Sequence, residues 1–251
     1  MQTKEKVIAG KTMRLETGRV ARQSNGSVLV SYGETTILAT VNCAREARED
    51  VDFFPLQVEY REKHYAGGKI PGGFFKREAR PGEHEILTSR VTDRPIRPLF
   101  PKGFKNETQV MITVLQSDGE NNPDILAGIG ASAALVTSTI PWNGPIATVR
   151  VGRVNGEFII NPTRNESKDS DVEMIVSGNS ETIVMVEGEA NIISEEEVLA
   201  GLKAAHLIIK EIIDLQIKLR DKLDLEKEVF ESEKLEENLE LDVEKFAKKR
   251  V

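Results

Sequence analysis

The residues best equipped for chemistry lie between positions 67 and 105. Gly67-Gly68-Lys69-Ile70-Pro71-Gly72-Gly73 places four glycines and a proline in seven residues, a composition that resists helix and strand and predicts an exposed loop. Phe74, Phe75, Lys76 and Arg77 follow at once, with Arg80 three residues on. Two aromatic rings followed by cations offer stacking surfaces for bases and charges for phosphates, which is what a single-stranded nucleic acid requires. The alternative is that one or both rings fold back beneath the loop into a core. Next come Arg90, Arg94 and Arg97, spaced by four and three, so that they share one helical face if the helix continues past Pro95. Three guanidinium groups on one face repel unless an anion sits between them or Asp93, Glu83 and Glu85 pair with them. Phosphate or RNA-backbone contact and a structural ion-pair network therefore both remain open.

Charge is unevenly distributed. The 251 residues contain 34 Lys or Arg and 41 Asp or Glu, a net charge of −7 that excludes a uniformly basic nucleic-acid binder. Residues 61–105 hold eleven basic and five acidic side chains, a net +6, which leaves −13 for the remainder. Such asymmetry marks a local footprint for a polyanion, unless the fold balances the basic face with acidic neighbours. A hydrophobic content of 39% supports a globular core. The sole cysteine, Cys43, can form no internal disulfide and reads as a half-buried strand residue of a reducing compartment. No apolar run approaches the roughly 18 residues of a membrane span, and Met-Gln-Thr-Lys-Glu-Lys at the N-terminus precedes no apolar signal region. A cytoplasmic protein with no membrane partner is expected.

Other motifs carry less. Gly128-Ile-Gly130-Ala-Ser-Ala133 matches a dinucleotide fingerprint loosely, but it falls inside a helix that starts six residues earlier, which points to close helix packing. His64, His84 and His206 lack metal-ligand spacing and a second cysteine, so no zinc site is expected. Asp169, Asp171 and Glu173 alternate ahead of an apolar run, as a divalent-ion site or, more ordinarily, a solvated strand entry would.

The elements that must position these residues are strands mixed with helices. Short β-branched runs at 27–31 and 35–41 flank a hairpin turn at Tyr32-Gly33-Glu34, and 51–60 reads as a strand whose Pro55 argues for an edge or a bulge. Further strands are predicted at 109–115, 145–151, 157–160, 172–176 and 182–186. One helix is expected from Glu83 to about Arg94, ending before Pro95. A second runs from an Asn122 cap, with Pro123 at the first helical position, to about Ser138. A third opens on Ser194 with Glu197 completing a capping box, and Val198, Leu202, Ala205, Ile209, Ile212, Gln216, Leu219 and Leu223 form its apolar stripe, with Gln216 alone out of place. At about 1.5 Å per residue that helix can span the domain and leave it. Beyond Leu225 the sequence turns Glu/Lys-rich with sparse Leu235, Leu239, Val243 and Phe246, a thin apolar face that needs a partner. The architecture expected is α+β with helices on a mixed sheet, divided into a core domain over 1–222 and the start of an all-helical segment over 223–251.

Three stretches resemble a known family. Phe74-Phe75-Lys76-Arg77-Glu-Ala-Arg80-Pro, then Asp93-Arg94-Pro-Ile-Arg97-Pro-Leu-Phe-Pro, then Asn122-Pro-Asp-Ile-Leu-Ala-Gly-Ile-Gly-Ala-Ser-Ala-Ala-Leu135 closely resemble the first core domain of the bacterial polynucleotide phosphorylases. So do Leu15-Glu-Thr-Gly18 and Val184-Met-Val-Glu-Gly188-Glu-Ala190. The resemblance spans essentially the whole chain. It implies a ribonuclease PH-like fold of βαβα-type units and an enzyme that degrades single-stranded RNA from its 3′ end by phosphate attack, releasing nucleoside diphosphates. It further implies a second core domain, an all-helical linker domain, RNA-binding modules and a ring-shaped homotrimer, with other RNA-degradation proteins as possible partners. On that template Phe74, Phe75, Lys76, Arg77 and Arg80 grip RNA at the mouth of a central channel. Lys76 stands where the family usually has Arg, which keeps the charge but loses the planar fork.

The same resemblance places catalysis outside this chain, in the second core domain, where a serine-containing loop holds phosphate and paired aspartates hold Mg²⁺. The corresponding loop here is Asn121-Asn122-Pro123-Asp124, whose proline and carboxylate would exclude phosphate. Of the metal-binding aspartates only Asp171 has a counterpart, with Asn165 at the other position, and a lone carboxylate is a poor Mg²⁺ site. No catalytic residue and no metal are expected in this chain, Asp171 being at most a vestige. Two other functions compete: a non-catalytic RNA-binding and assembly scaffold, and a free-standing tRNA-trimming phosphorylase of ribonuclease PH type.

Overall fold

The computed structural model describes residues 1–74, 77–78, 80–230 and 237–248, the stretch 237–241 by its backbone alone. Strands β1 (Gln2–Ile8), β2 (Lys11–Thr17), β3 (Gly26–Tyr32), β4 (Thr35–Cys43), β5 (Leu56–Glu62) and β6 (Thr108–Gln116) form one sheet in the order β1-β2-β3-β4-β6-β5. Its neighbours are antiparallel except β5 and β6, which run parallel and so require a crossover. Helix α1 (Glu83–Ile96) lies in that crossover and packs on β5. Helix α2 (Asp124–Val136) leads to the second sheet, in which β7 (Ala147–Val154), β8 (Glu157–Ile160), β9 (Val172–Gly178) and β10 (Ile183–Ala190) are ordered β10-β9-β7-β8, all antiparallel. Short α3 (Arg164–Lys168) separates β8 from β9, and α4 (Glu195–Arg220) and α5 (Glu237–Lys248) follow. The expected α+β architecture with a mixed sheet is present.

Helix α2 sits between the sheets, touching β3 and β4 on one side and β7 on the other, and every residue from Ile125 to Val136 is buried. Its small residues make this possible. A Cβ on Gly128 would lie 2.3 Å from Thr148 Oγ1, and one on Gly130 would lie 2.9 Å from both Ala39 Cβ and Ile37 Cδ1. The glycine pattern is thus a packing device and not a dinucleotide loop. One polar triangle is buried in the same layer. Ser132 Oγ donates to Gln216 Oε1 at 2.7 Å, Gln216 Nε2 donates to the Ile146 carbonyl at 2.8 Å, and the Ile146 amide donates to Ser132 Oγ at 3.0 Å. Gln216, 1% exposed, therefore ties α4 to α2 and to the approach to β7, which is why a polar residue interrupts the apolar stripe.

Several expectations are corrected. Strands β1 and β2 were not expected, because charged residues alternate with Met13 and Leu15 and mask the two-residue period. Residues 51–55 are irregular, and β5 begins after Pro55, although it does form an edge of its sheet. Helix α1 runs through Pro95 to Ile96, since a proline in the last turn removes only its own N–H while the Arg97 amide still closes on Asp93 O. Pro123, not Asn122, is the N-cap of α2, and Asn122 Oδ1 instead accepts from Arg164 Nε at 3.1 Å. The helix also ends at Val136, short of Ser138.

Ser194 and Glu197 form the expected capping box on α4, which at 26 residues is about 39 Å long. It ends at Arg220, short of Leu223, and the chain turns back instead of leaving the core. Lys227 Nζ donates to the carbonyls of Leu135 and Ser138 at 2.6 and 2.8 Å, capping the C-terminal end of α2, and Phe230 stands edge-on to Phe104 at 5.2 Å. Gln216→Leu would complete the apolar stripe yet strand the Ser132 hydroxyl and the Ile146 carbonyl. It should lower the unfolding free energy by about 1–3 kcal/mol in urea titrations, where a neutral or stabilising effect would remove the triangle's structural role.

Candidate nucleic-acid interface

The glycine-rich segment leaves β5 through a 3₁₀ turn, His64–Gly67, which Gly68 closes in the left-handed region at φ +67°. Ile70 and Phe74 beyond it point outward, Phe74 being 93% exposed, and Arg77 and Arg80 are exposed as well. Phe74 thus does not fold into the core. Phe75 and Lys76, assigned with it to RNA stacking and phosphate contact, lie outside the described residues.

The three arginines of α1 are brought together but used differently. With Leu87, Val91, Asp93 and Glu187 they border an open groove of about 750 Å³. Arg97 is fully engaged by the fold: Nε and Nη2 reach Asp93 Oδ2 at 3.1 and 2.8 Å, Nη1 the Phe54 carbonyl at 3.2 Å, and Nη2 the Leu56 carbonyl at 3.0 Å. Its guanidinium staples the approach to β5 onto α1, so for this residue the geometry is that of a structural network. Arg94 pairs with Glu187 of β10 at 3.2 Å, with both side chains largely exposed, an arrangement worth little in water. Arg90 is exposed and makes no ion pair among the described residues. Glu85, a candidate partner, instead accepts from the backbone amides of Glu62 and Gly82 at 2.8 and 2.5 Å.

Beside this groove a cavity of about 260 Å³ opens at the N-terminus of α2, walled by Leu87, Val91, Ile125 and Ile175. Its floor is ionic. The Asp124 carboxylate accepts from the Ile125 amide at 2.7 Å and pairs with Arg150, whose other terminal nitrogen pairs with Glu173. His84 Nε2 lies 3.7 Å from Asp124 Oδ2, and His84 Nδ1 lies 3.5 Å from Glu62 Oε1. The carboxylate thus occupies the place beside Arg150 and the helix N-terminus that an incoming anion would need. Burial alone would raise the Asp124 pKa, but His84 and Arg150 outweigh it and hold it below the ordinary value. Asp124 in turn holds His84 above its ordinary value against partial burial, and at 3.7 Å the effect is that of an ion pair more than of a hydrogen bond.

Asp171 faces a fixed cation, Arg153 Nη2 at 3.2 Å, and Arg153 Nη1 also reaches Glu197 at 2.7 Å. Among the described residues no cluster of three His, Cys, Asp or Glu could hold a metal ion. Asn165 accepts from Lys168 Nζ at 3.2 Å. One carboxylate beside an arginine does not suit Mg²⁺.

Residues 9–141 match domain 1 of the 3′ exoribonuclease family, the ribonuclease PH family, and residues 144–207 match its domain 2. The chain belongs to the 3′ exoribonuclease family. Similar proteins include the polyribonucleotide nucleotidyltransferase of Maricaulis maris (strain MCS10), 56% identical over 85% of this chain and 30% of that protein, and that of Geotalea uraniireducens (strain Rf4), 48% identical over 100% of this chain and 36% of that protein. The chain therefore spans about a third of the length of the curated relatives it matches. Among solved structures, rice (Oryza sativa) Rrp46 superposes with a TM-score of 0.64 at 16% identity, covering 81% of this chain and 91% of that one, a likeness of fold. No helix among the described residues is long and apolar enough to cross a membrane.

In this member of the 3′ exoribonuclease family, spacing in the sequence does not single out Arg150 or Glu62, gives His84 no partner, and marks Glu173 only within the alternating run Asp169, Asp171, Glu173, because their elements meet only in the fold. One signal does exist: Arg150 interrupts the otherwise apolar run 145–151, and a lone charge in a buried strand requires a buried partner. The His84 contact also has a pH signature. A histidine raised in the folded state contributes stability that is full below its unfolded pKa of about 6.5 and is lost as pH rises through the folded value. The stability difference between the wild-type chain and His84→Asn should accordingly be largest at acidic pH and fade above neutrality, and a flat difference in denaturant titrations across pH 5–9 would exclude the pairing.

Proposed function

We propose that this chain is the N-terminal part of a longer phosphate-dependent 3′-to-5′ exoribonuclease, a polyribonucleotide nucleotidyltransferase that degrades single-stranded RNA to nucleoside diphosphates in mRNA turnover. The observation that carries the proposal is the outward-facing Phe74, followed by Arg77 and Arg80, on a glycine-rich loop of a chain 48–56% identical to proteins of that name. In this reading residues 1–222 are the first core domain and residues 223–251 open an all-helical linker domain. The whole enzyme is a cytoplasmic homotrimeric ring that engages other RNA-degradation proteins, and its second core domain uses inorganic phosphate as co-substrate with Mg²⁺.

This part supplies grip. Bases stack on Phe74 and Phe75, while Lys76, Arg77 and Arg80 meet successive phosphates. Arg90, exposed in the groove, and Arg94, once it exchanges Glu187 for a phosphate, extend the contact along α1. Arg97 does so only by giving up its bonds to Asp93 and the chain before β5. The α2 N-terminus contributes no phosphate site, because Asp124 already neutralises the cations there. The length of the relatives favours this reading over a free-standing tRNA-trimming phosphorylase, and their name, polyribonucleotide nucleotidyltransferase, favours it over a non-catalytic RNA-binding and assembly scaffold.

Replacing Lys76 and Arg77 by Ala should weaken binding of the chain to oligo(A). It should also flatten the log Kd against log[salt] slope by about 1.4, since each lost phosphate contact to a single strand releases about 0.7 of a counterion. Unchanged affinity and slope in fluorescence anisotropy would remove RNA grip from this loop. Incubated with oligo(A), phosphate and Mg²⁺, the chain alone should release no ADP. ADP production that Asp171→Asn abolishes would overturn the assignment of chemistry to the second core.

A further inference from the structure

The loop that carries Phe74 and Arg77 is closed at its base by one residue, His64, and one carboxylate, Glu78. Glu78 Oε1 accepts from the His64 backbone amide at 2.6 Å and pairs with His64 Nδ1, while Oε2 lies 3.5 Å from Lys63 Nζ. The His64 carbonyl accepts from the Lys69 amide at 2.9 Å, so the same residue also starts the turn at the other foot of the loop. Two residues on, Ala66 is buried and its carbonyl accepts from the Ser117 amide at 2.8 Å, which fixes the foot to the end of β6. A chain of bonds therefore runs from the first sheet through Ala66 and His64 to Glu78, the residue directly after Arg77. The intervening glycines supply no side chains of their own, and a Cβ at Gly67, Gly72 or Gly73 would meet nothing within 4 Å. Thirteen residues thus lie between the two partners of the Glu78 contacts, which close them into a loop.

From this we infer that Glu78 is the positioning residue of the RNA-gripping loop: its carboxylate clasps His64 and holds Phe74 and Arg77 in a preorganised arrangement before RNA arrives. The inference rests on the proposed grip and adds its mechanism. Preorganisation lowers the ordering cost of binding, so the clasp acts on affinity without touching RNA. The hydrogen bond from the His64 amide, the largest cause, holds the Glu78 carboxyl below its ordinary value.

The test compares three variants of the 251-residue chain for oligo(A) affinity by fluorescence anisotropy and for melting temperature. Glu78→Ala should weaken binding roughly five- to tenfold, with the melting temperature unchanged because the loop lies outside the core. Glu78→Gln keeps an acceptor for the His64 amide and should recover part of the loss. In a chain already carrying Phe74→Ala and Arg77→Ala, Glu78→Ala should add nothing, because the groups it positions are gone. If the Phe74→Ala, Arg77→Ala chain binds more weakly while Glu78→Ala alone binds normally, the clasp is wrong and the grip stands. Additive losses, or a Glu78→Ala loss accompanied by a fall in melting temperature, would make Glu78 an independent contact or a fold element and overturn the inference. If the Phe74→Ala, Arg77→Ala chain itself binds normally, the grip fails and the positioning role fails with it.

Discussion

Burial of α2 between two sheets is the constraint on which the rest of the molecule depends. A helix enclosed on both faces admits side chains only as large as its neighbours allow, and Gly128 against Thr148 and Gly130 against Ala39 and Ile37 set that limit. The close approach brings the first and second sheets to opposite sides of one helix, while α4 packs on β1 and β7 and is tied by Gln216 to α2 and to Ile146. The same helix also determines where chemistry can occur. Its C-terminal carbonyls are capped by Lys227, and its N-terminus, the natural position for an anion, opens on the cavity beside α1.

At that N-terminus the molecule answers its own electrostatics. Asp124, Arg150, His84 and Glu173 come from α2, β7, α1 and β9 and neutralise one another, so the positive end of the helix is already occupied. The basic charge that remains outward is displaced to the loop and to the exposed face of α1, at Arg77, Arg80 and Arg90. The closed anion position and the groove bordered by Arg90 lie side by side and share Leu87, Val91 and Glu187. A chain acidic overall can in this way present one basic strip, with acidic surroundings that repel a polyanion elsewhere.

Much of the fold was legible in local patterns. The Ser194–Glu197 capping box, the hairpin at Gly33 and the strands β8 and β9 follow from period and cap chemistry, which act over a few residues. Strands β1 and β2 were hidden because their outward positions carry charges that dilute the apolar alternation. Pro95 was read as a stop where the structure tolerates it, since a proline this close to the helix end forfeits only its own N–H bond while the Arg97 amide still closes on Asp93 O. Of the candidate site, the glycine-rich loop and its aromatic-cationic end were visible as composition. The pairing of His64 with Glu78, and of His84 with Asp124 and Glu62, joins residues 14 to 40 positions apart and leaves no periodic trace.

By itself the sequence determined the class of architecture, the family and the presence of one basic, aromatic loop in an acidic chain, because each is written in residue types or in neighbours a few positions apart. Only the tertiary structure decided which of three arginines on one helical face is committed to the fold, that Gln216 belongs in an apolar stripe, and that a carboxylate already sits at the α2 N-terminus. Those outcomes depend on which donor meets which acceptor across elements distant in the chain. A guanidinium with two carbonyls and a carboxylate in reach is a structural part, and the same group one turn away in water remains available to a ligand.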